Sequence, residues 1–423
     1  MLKIEDNLWA AVVIFTSVTN AVLSLLVTTI IARMLSPQGF GDFASALSTI
    51  CLVVPLAGFG IAQSWIKFFR EDNDGVNPIL GSYYLLAVTV VSAIIAVIVW
   101  SYLGEKSDQM RSTLYILSFL IFSQTIIELV CARMQILDQF NYLSGALIFQ
   151  TALRLISLMI MLILFRYDMT VEKLALAYIF PSGLLTLLSL MILTRGIHVS
   201  NYFSKATTSV AAGLKAIMSK SWPFALASSF QVIYYQSDVV MLAELSSASE
   251  AGFYSVAALI IGGTYIFPAA LFHRYLQPMI YSWAKSTPEY LKTLQWKGSA
   301  LMLILGILAS LVTLLVCNPL IRLLFGDLYI EAVSIIHILV FAIPFVYVSY
   351  CLGSILHTGG SLKVKTLVMG VVACFNIVSN SFIIPLYGAE GAAITTVASA
   401  IILCGLYFEI IRKRLESNAM FEI

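Results

Sequence analysis

The stretch LAELSSASEAGFYSVAAL, which begins at Leu242, echoes the stretch ARMLSPQGFGDFASAL, which begins at Ala32. With one gap after the Leu-Ser pair of each stretch, three residues of the first stand opposite three of the second: Gly252, Tyr254 and Ala257 opposite Gly41, Phe43 and Ala46. Many transporter folds consist of two such repeats around a central site. The echo therefore predicts a chain made of two related halves.

The amino-acid composition indicates whether this chain folds in water or in a lipid bilayer. Of its 423 residues, 60% are hydrophobic and 11% are charged, with a mean hydropathy of +0.95. A water-soluble core cannot hide so large an apolar fraction. The net charge of +2 is small and scattered, so no nucleic-acid partner is expected. The sequence predicts a polytopic membrane protein whose first partner is the lipid bilayer.

Motifs for catalysis and cofactor binding are missing from the sequence. The six cysteines lie in or beside apolar runs, without a C-x-x-C pair or a neighbouring histidine, so they are predicted to be buried free thiols. The sequence has neither a G-x-x-x-x-G-K-[ST] phosphate loop nor an H-E-x-x-H zinc motif. We therefore expect a transporter rather than an enzyme, with no cofactor and no metal.

Apolar stretches of about 20 residues predict transmembrane helices. Twelve are found, at 8–31, 40–66, 79–103, 112–136, 141–165, 172–194, 221–244, 250–276, 297–317, 331–356, 364–386 and 389–411. Most of the 24 Lys and Arg residues fall in inner loops if the N-terminus is inside, which predicts cytoplasmic termini. The predicted domains are an N-terminal six-helix bundle at 1–194, a basic cytoplasmic linker at 195–220 and a C-terminal six-helix bundle at 221–423.

Charged residues inside the spans mark candidate sites, because a charge in the bilayer needs a partner or water. Arg154 lies midway along the fifth span, and Arg133 lies near the inner end of the fourth. Gln124 and Glu128 share one face of that fourth span. These residues are candidates for substrate binding or ion coupling. Internal ion pairs that steady the bundle, such as one between Arg154 and Glu128, are the competing explanation.

The seventh span carries a polar stripe. Gln231, Tyr235 and Asp238 stand at i, i+4 and i+7, on one helical face, where they could bind sugar hydroxyls or a coupling proton. A hydrated Asp near the interface is the alternative. Asn20 belongs to an uncharged polar stripe of the first span and is a further glycan-binding candidate, although such stripes also serve helix packing.

Basic residues close the inner ends of the second and eighth spans. Lys67 ends one span, and His273 with Arg274 ends the other, at equivalent positions of the repeat. Two facing basic patches would suit a diphosphate, since ammonium and guanidinium donors match phosphate oxygens. The alternative is ordinary anchoring by snorkelling cations at the cytoplasmic surface.

Three segments carry a family resemblance: ARMLSPQGFGDFA from Ala32, SDVVMLAELSSASEAGFYSVAAL from Ser237, and NIVSNSFIIPLYGAEGAAITTVAS from Asn376. They resemble the polysaccharide-export flippases of the Wzx, or O-antigen translocase, type, within the superfamily of the MATE drug exporters and the lipid II flippases. The resemblance implies an all-α protein of two pseudo-symmetric six-helix bundles around a central cavity. It departs from the lipid II flippases, since the first span has no intramembrane arginine, only Arg33 at its outer end.

The same resemblance implies a substrate of a few sugars on undecaprenyl diphosphate, as in O-antigen repeat units of lipopolysaccharide, moved outward across the bacterial inner membrane. A polysaccharide polymerase and a chain-length regulator are candidate partners. A drug antiporter of the same superfamily is the first alternative, although the missing acidic residue in span 1 and the charge of Arg154 disfavour it. A membrane polysaccharide polymerase is the second, although its usual long outer loop is missing.

Overall fold

The computed structural model of the protein describes residues 2–70, 79–103, 106–137, 139–165, 169–195, 210–286, 289–357 and 362–416. All regular structure in these ranges is helical, and no strand occurs among them. The helices are α1 Leu2–Met34, α2 Pro37–Gly58, α3 Ile61–Arg70, α4 Ile79–Tyr102, α5 Asp108–Ile136, α6 Phe140–Leu164, α7 Val171–Arg195, α8 Val210–Leu245, α9 Ala248–Thr264, α10 Ile266–Ala270, α11 Gln277–Ser286, α12 Glu289–Thr293, α13 Ser299–Leu324, α14 Ala332–Leu339, α15 Ile343–Ile355 and α16 Leu362–Glu416.

The predicted spans are helical, although 40–66 breaks at Phe59 and Gly60 and 250–276 is divided among α9, α10 and the turn Leu271–Leu276. The prediction of an all-α membrane protein is confirmed. By length and composition, seven described segments could cross a membrane on their own, and two shorter apolar segments, Val18–Met34 and Ile148–Leu164, add to them. α8 is not among the seven because it carries several polar side chains, and α9 ends after 17 residues. The last two predicted spans, 364–386 and 389–411, are the two helical parts of α16, which are separated by a break at Gly388.

The chain divides into two compact units. The terminal unit contains Met1–Gly41 and Asp238–Ile423, and the middle unit contains Asp42–Ser237. In the terminal unit α1 packs on α10 and on the π-helical turn Leu271–Leu276. In the middle unit the Ser64 hydroxyl of α3 hydrogen-bonds the Ser221 hydroxyl of α8. The boundaries of these units come from residue contacts, whereas the predicted domain boundaries at 194 and 220 come from the sequence repeat. The division into two six-helix halves stays a prediction.

The terminal unit is centred on α15, which packs against α13 and α16, while α14 packs against α9. Its apolar core includes Ala342, Val346 and Ala400, with Tyr265 and Phe345 packed around them. Small side chains at these positions let the helix backbones approach closely, which is the usual basis of helix association in lipid.

Two helix ends of the terminal unit stabilise each other. The Arg33 guanidinium, at the end of α1, donates to the carbonyl oxygens of Leu323 and of Leu324, the latter at 2.6 Å, at the end of α13. In return the Tyr329 hydroxyl, which follows α13, donates to the Ala32 carbonyl in α1 at 2.8 Å. Each side chain satisfies carbonyls that have no partner within their own helix. Arg33 therefore has a structural role.

We expect Tyr329→Phe to lower the free energy of unfolding by about 1–3 kcal/mol, because the buried Ala32 carbonyl loses its donor. Burial raises the pKa of the Tyr329 phenol above its ordinary value, so the hydroxyl stays protonated and able to donate. Thermal unfolding of the detergent-solubilised protein measures the effect. Tyr387→Phe is the matched control, since Tyr387 is 66% exposed. Equal melting temperatures for both variants would contradict this role.

The kink in α16 depends on Gly388 and on an acid from α9. Gly388 has a φ of 53°, in the left-handed region that favours glycine. Directly after it, the Ala389 N–H donates to the Glu250 carboxylate at 2.7 Å, at the start of the final helical segment. A carboxylate at a helix N-terminus satisfies free N–H groups and complements the helix dipole.

Gly388→Ala is expected to destabilise the protein by about 1–2 kcal/mol, because a Cβ at this φ is strained. That Cβ would also stand 2.9 Å from a Glu250 oxygen. The matched control is Gly405→Ala in the same helix, where a Cβ meets nothing within 4 Å and should stabilise by roughly 0.5–1 kcal/mol. Melting temperatures that shift in opposite directions are the expected result, and shifts of the same sign would contradict it.

The middle unit packs α5 against α7, with α6 on α7 and with α3 and α4 on α5. Inside it, the Ser123 hydroxyl donates to the Ser182 carbonyl at 3.1 Å, and the Thr186 hydroxyl donates to Ser123 at 2.8 Å. Interhelical hydrogen bonds of this kind stabilise helix pairs in lipid. They also fix α7 in rotation, and with it the face that carries Tyr178 and Ser182.

Candidate functional site

A buried carboxylate lies at the centre of a polar cluster in the terminal unit. Asp238, on α8, is 2% exposed. The Tyr254 hydroxyl and the Thr396 hydroxyl each donate to its Oδ2 at 2.6 Å, and the Asn380 amide donates to its Oδ1 at 2.6 Å. These donors come from α9 and α16. We call these residues, together with Asn376, Thr395 and Ser399, which support them, the Asp238 cluster.

A second layer of polar groups supports the first. The Asn380 amide also donates to Asn376 Oδ1 at 3.1 Å, and the Thr395 hydroxyl makes a short hydrogen bond to Asn380 Oδ1. The Asn376 amide in turn donates to the Ser399 hydroxyl at 3.5 Å. Asn376 and Asn380 stand one turn apart on α16, so one helix presents both amides to the carboxylate.

The charge of Asp238 has no cationic partner within ion-pair distance in the described part of the chain. A carboxylate in the membrane interior is costly without such a partner, and three hydrogen bonds repay only part of that cost. The Asp238 carboxylate and the hydroxyl oxygens of Tyr254 and Thr396 are hard ligands, whereas Asn380 faces the carboxylate with its amide nitrogen. Chemically, the cluster can hold a proton or a small monovalent cation. Among the described residues no group of three His, Cys, Asp or Glu side chains could hold a metal.

The three polar residues predicted to share one face of the seventh span lie in different surroundings in the structure. Gln231 and Tyr235 are exposed, the latter at 45%, whereas Asp238 is turned into the Asp238 cluster. The sequence analysis found Asp238 but missed Tyr254, Thr395 and Thr396. The sequence did contain an indication for Tyr254. The repeat aligns Tyr254 with Phe43, and the two side chains differ only by the tyrosine hydroxyl.

A second polar cluster lies in the middle unit around Arg154. Its guanidinium donates to the Tyr178 hydroxyl and to the Ser182 hydroxyl, each at 3.1 Å. The guanidinium carbon also lies 4.3 Å from the centre of the Tyr178 ring, in cation–π geometry. The Gln150 amide shares Ser182 as an acceptor at 3.4 Å. We call these residues the Arg154 cluster.

The Arg154 cluster leaves a positive charge without an acid. The described residues contain no ion pair to Arg154, so the alternative pair with Glu128 is absent. The buried Nε atom has no hydrogen-bond partner among the residues that the structure describes. Hydroxyl groups and a ring face stabilise a guanidinium only in part. The cluster therefore retains capacity to bind an anion.

The other candidates of the fourth span lie apart from this cluster. Arg133 is buried and donates to the Ile192 carbonyl at 2.8 Å, near the end of α7, which is a structural contact. Glu128 is exposed, with its carboxylate near Gly58, and Gln124 is half-buried. The shared face predicted for Gln124 and Glu128 is present, since both lie on α5.

The remaining candidates are placed as follows. Lys67 is exposed at the end of α3, and Asn20 is half-buried on α1. Arg274 and His273 lie in the π-helical turn Leu271–Leu276, but their side chains are outside the described part of the structure. Their proposed contact with a diphosphate stays a prediction.

Comparison with solved structures defines the class of protein through its fold. The chain is similar to the lipid II flippase MurJ in an inward closed conformation, with a TM-score of 0.74, 13% identity, and coverage of 98% of this chain and 91% of that one. It is also similar to an inward-facing multidrug resistance MATE family transporter of the MOP superfamily, with a TM-score of 0.67, 12% identity, and coverage of 98% and 100%. The fold is thus a membrane-transporter fold.

A third similar structure is that of a MOP superfamily transporter from Pyrococcus furiosus, with a TM-score of 0.59, 13% identity, and coverage of 96% of this chain and 95% of that one.

The family follows from the sequence. No curated protein matches the chain in a sequence search. The family model described as polysaccharide biosynthesis protein matches residues 9–280, well over half of the chain. The chain belongs to the polysaccharide biosynthesis protein family.

Proposed function

We propose that this protein is a flippase for lipid-linked saccharides, which moves undecaprenyl-diphosphate-linked O-antigen or related repeat units across the bacterial inner membrane. The observation that carries the proposal is the combination of a polysaccharide biosynthesis family with a fold found in a lipid II flippase. Transport runs from the cytoplasmic to the periplasmic leaflet, and both termini are cytoplasmic. A polysaccharide polymerase and a chain-length regulator act on the product.

The physical problem is the polar headgroup. Moving sugars and a diphosphate through bare hydrocarbon costs many kcal/mol, and a hydrated cavity between two rocking halves lowers that barrier. The prenyl chain stays in lipid throughout. Gln124, Glu128, Asn20, Gln231 and Tyr235 are the proposed glycan contacts.

The proposed diphosphate contacts are the cations of both halves. Arg154 is the best supported of them, because its guanidinium has no acid in the described structure and an Nε without a partner. Arg274, Lys67 and His273 are further candidates, and so is Arg133, whose guanidinium in this structure also donates to the Ile192 carbonyl. A guanidinium binds phosphate oxygens with paired donors, which makes Arg154 suited to one phosphate of the pair.

The Asp238 cluster is the proposed coupling site. Binding of a proton or a small cation neutralises the buried carboxylate, which changes how strongly its three donors are held. A ligand can shift a two-state equilibrium only through a difference in affinity for the two states. Donors from α9 and α16 meet at Asp238, so the occupancy of this site favours one packing of those helices over another.

Deletion of the gene in its own host tests the proposed function. Surface polysaccharide is analysed on gels, and prenyl-linked repeat units are assigned to a leaflet. The expected result is loss of polymer with intact repeat units trapped on the cytoplasmic side. Unpolymerised units on the outer leaflet would contradict the proposal and indicate a polymerase instead.

Export of small molecules is the second candidate, because the chain also matches a multidrug resistance MATE transporter over its full length. A cationic drug needs acidic groups, whereas the Arg154 cluster presents a positive charge. Unchanged polysaccharide together with increased drug sensitivity in the deletion strain would favour this candidate.

A further inference from the structure

The middle unit contains a groove of about 530 Å³ that neither polar cluster uses. Phe59, at the break between α2 and α3, forms one side. The early turns of α8 form the other, with Leu214, Lys215, Met218 and Trp222 along the groove. Leu214, Met218 and Trp222 recur every four residues, and Lys215 lies three residues before Met218, so all four lie on one face of α8. Among the described residues the lining is almost wholly apolar, and Lys215 is the one cation that it contains.

The shape of the groove is fixed by the backbone. Phe59 has a φ of 49°, which is rare for a residue other than glycine, and Gly60 follows with a φ of 66°. A Cβ on Gly60 would stand 2.5 Å from the Ser221 carbonyl, so glycine allows the break to lie directly on α8. The hydroxyls of Ser64 and Ser221 hydrogen-bond at 2.8 Å and hold α3 against α8. The groove is therefore preformed rather than a gap between loose helices.

The predicted topology places the groove at the depth where headgroups meet hydrocarbon. The predicted topology places the start of α8 at the cytoplasmic surface, and Lys215, Lys220 and Trp222 are residue types that anchor helices at that level. Met218 is 43% exposed and Trp222 is 52% exposed, so an apolar ligand has open surface to cover. No acid pairs with Lys215 in the described residues.

We propose that this groove binds the prenyl chain of the lipid-linked substrate where it joins the diphosphate, with Lys215 beside the phosphates; the inference rests on the proposed function. The segment of α8 from Ala211 to Trp222 is roughly 16 Å long, a length that suits one extended chain. A polyprenyl diphosphate has one chain and a doubly phosphorylated end, whereas a phospholipid has two chains on one phosphate. The single apolar track matches the former.

A photoreactive undecaprenyl diphosphate without sugars tests the proposal on the purified full chain in lipid nanodiscs. The diazirine is placed on the isoprenoid units next to the diphosphate, and labelled peptides are identified by mass spectrometry. The expected label falls on Phe59 and on residues 211–222. Unlabelled undecaprenyl diphosphate should displace it, whereas phosphatidylglycerol at the same concentration should not.

Matched variants separate the groove from general lipid contact. Lys215→Gln should reduce labelling roughly fivefold, the effect of one cation at an anionic lipid surface. Ser219→Trp fills the groove and should reduce it further, and Met218→Gln provides a second change without added bulk. Lys220→Gln and Leu226→Trp, on the same helix but outside the groove, should leave labelling unchanged.

Labelling that is insensitive to Lys215→Gln and Met218→Gln would overturn the proposal, and so would equal displacement by phosphatidylglycerol, which would indicate bulk lipid. This readout does not require transport. A protein that flips repeat units but takes no label in the groove contradicts the groove alone. A protein labelled in the groove that flips no repeat units contradicts the proposed function alone.

Discussion

Replacing Asp238 by Asn is expected to reduce transport of repeat units about 5- to 150-fold, the range that a coupling free energy of 1–3 kcal/mol spans. Asn keeps the size of the side chain and can still accept from Asn380, but it carries no charge and cannot exchange a proton or bind a cation as a carboxylate does. The protein should still insert and fold, because the hydroxyls of Tyr254 and Thr396 can turn to accept from the new amide.

The response to an imposed ion gradient distinguishes coupling from stability. Vesicles with the unaltered protein should transport faster when a proton or sodium gradient is imposed, whereas those with Asp238→Asn should show a residual rate that ignores both. Which gradient drives the unaltered protein identifies the ion. Tyr254→Phe is the control, since it removes one donor and leaves the charge. Asp238→Asn with an unchanged gradient response would contradict the coupling role.

Replacing Arg154 by Gln is expected to lower transport roughly 10- to 150-fold, the equivalent of one lost charge-assisted hydrogen-bond pair. Gln can keep a hydrogen bond to Ser182 or Tyr178, so the packing of α6 on α7 should survive. Surface polysaccharide in a complemented deletion strain measures the loss, with membrane levels of the protein checked alongside.

Two further variants test what the positive charge of Arg154 contributes to transport. Arg154→Lys keeps the charge without the paired donors and should restore part of the activity. Tyr178→Phe removes one hydrogen bond but keeps the ring face under the guanidinium, so a small effect is expected. If Arg154→Gln supports normal polysaccharide, Arg154 is a structural residue and the diphosphate is bound elsewhere.

Sequence patterns predicted the helices well because apolar length alone specifies a membrane helix. The break at Gly388 agrees with the predicted spans, which end at 386 and begin again at 389, but the hydrogen bond from the Ala389 N–H to Glu250 was not predicted. The repeat drew attention to the start of α9, where Tyr254 donates to Asp238. Tertiary contacts of this kind follow from helix rotation, which the hydrophobic pattern does not fix.

The polar clusters were predicted only in part, and for a physical reason. Single charges such as Arg154 and Asp238 stand out in apolar sequence because they are costly there. Their partners do not, since Ser182, Thr395 and Thr396 are residues that any packed membrane helix could carry. Asn380 lies in a segment that carries the family resemblance, but its acceptor at Asp238 follows only from the fold.

The most direct measurement of the central claim is reconstitution. The purified protein is placed in vesicles that hold fluorescent undecaprenyl-diphosphate-linked repeat units from its own host, and a membrane-impermeant quencher reports how many units change leaflet over time. The proposed function predicts protein-dependent movement of the repeat units, reduced by Arg154→Gln and made insensitive to ion gradients by Asp238→Asn. No movement beyond that in protein-free vesicles, with folded protein and the host's own repeat unit, would contradict it.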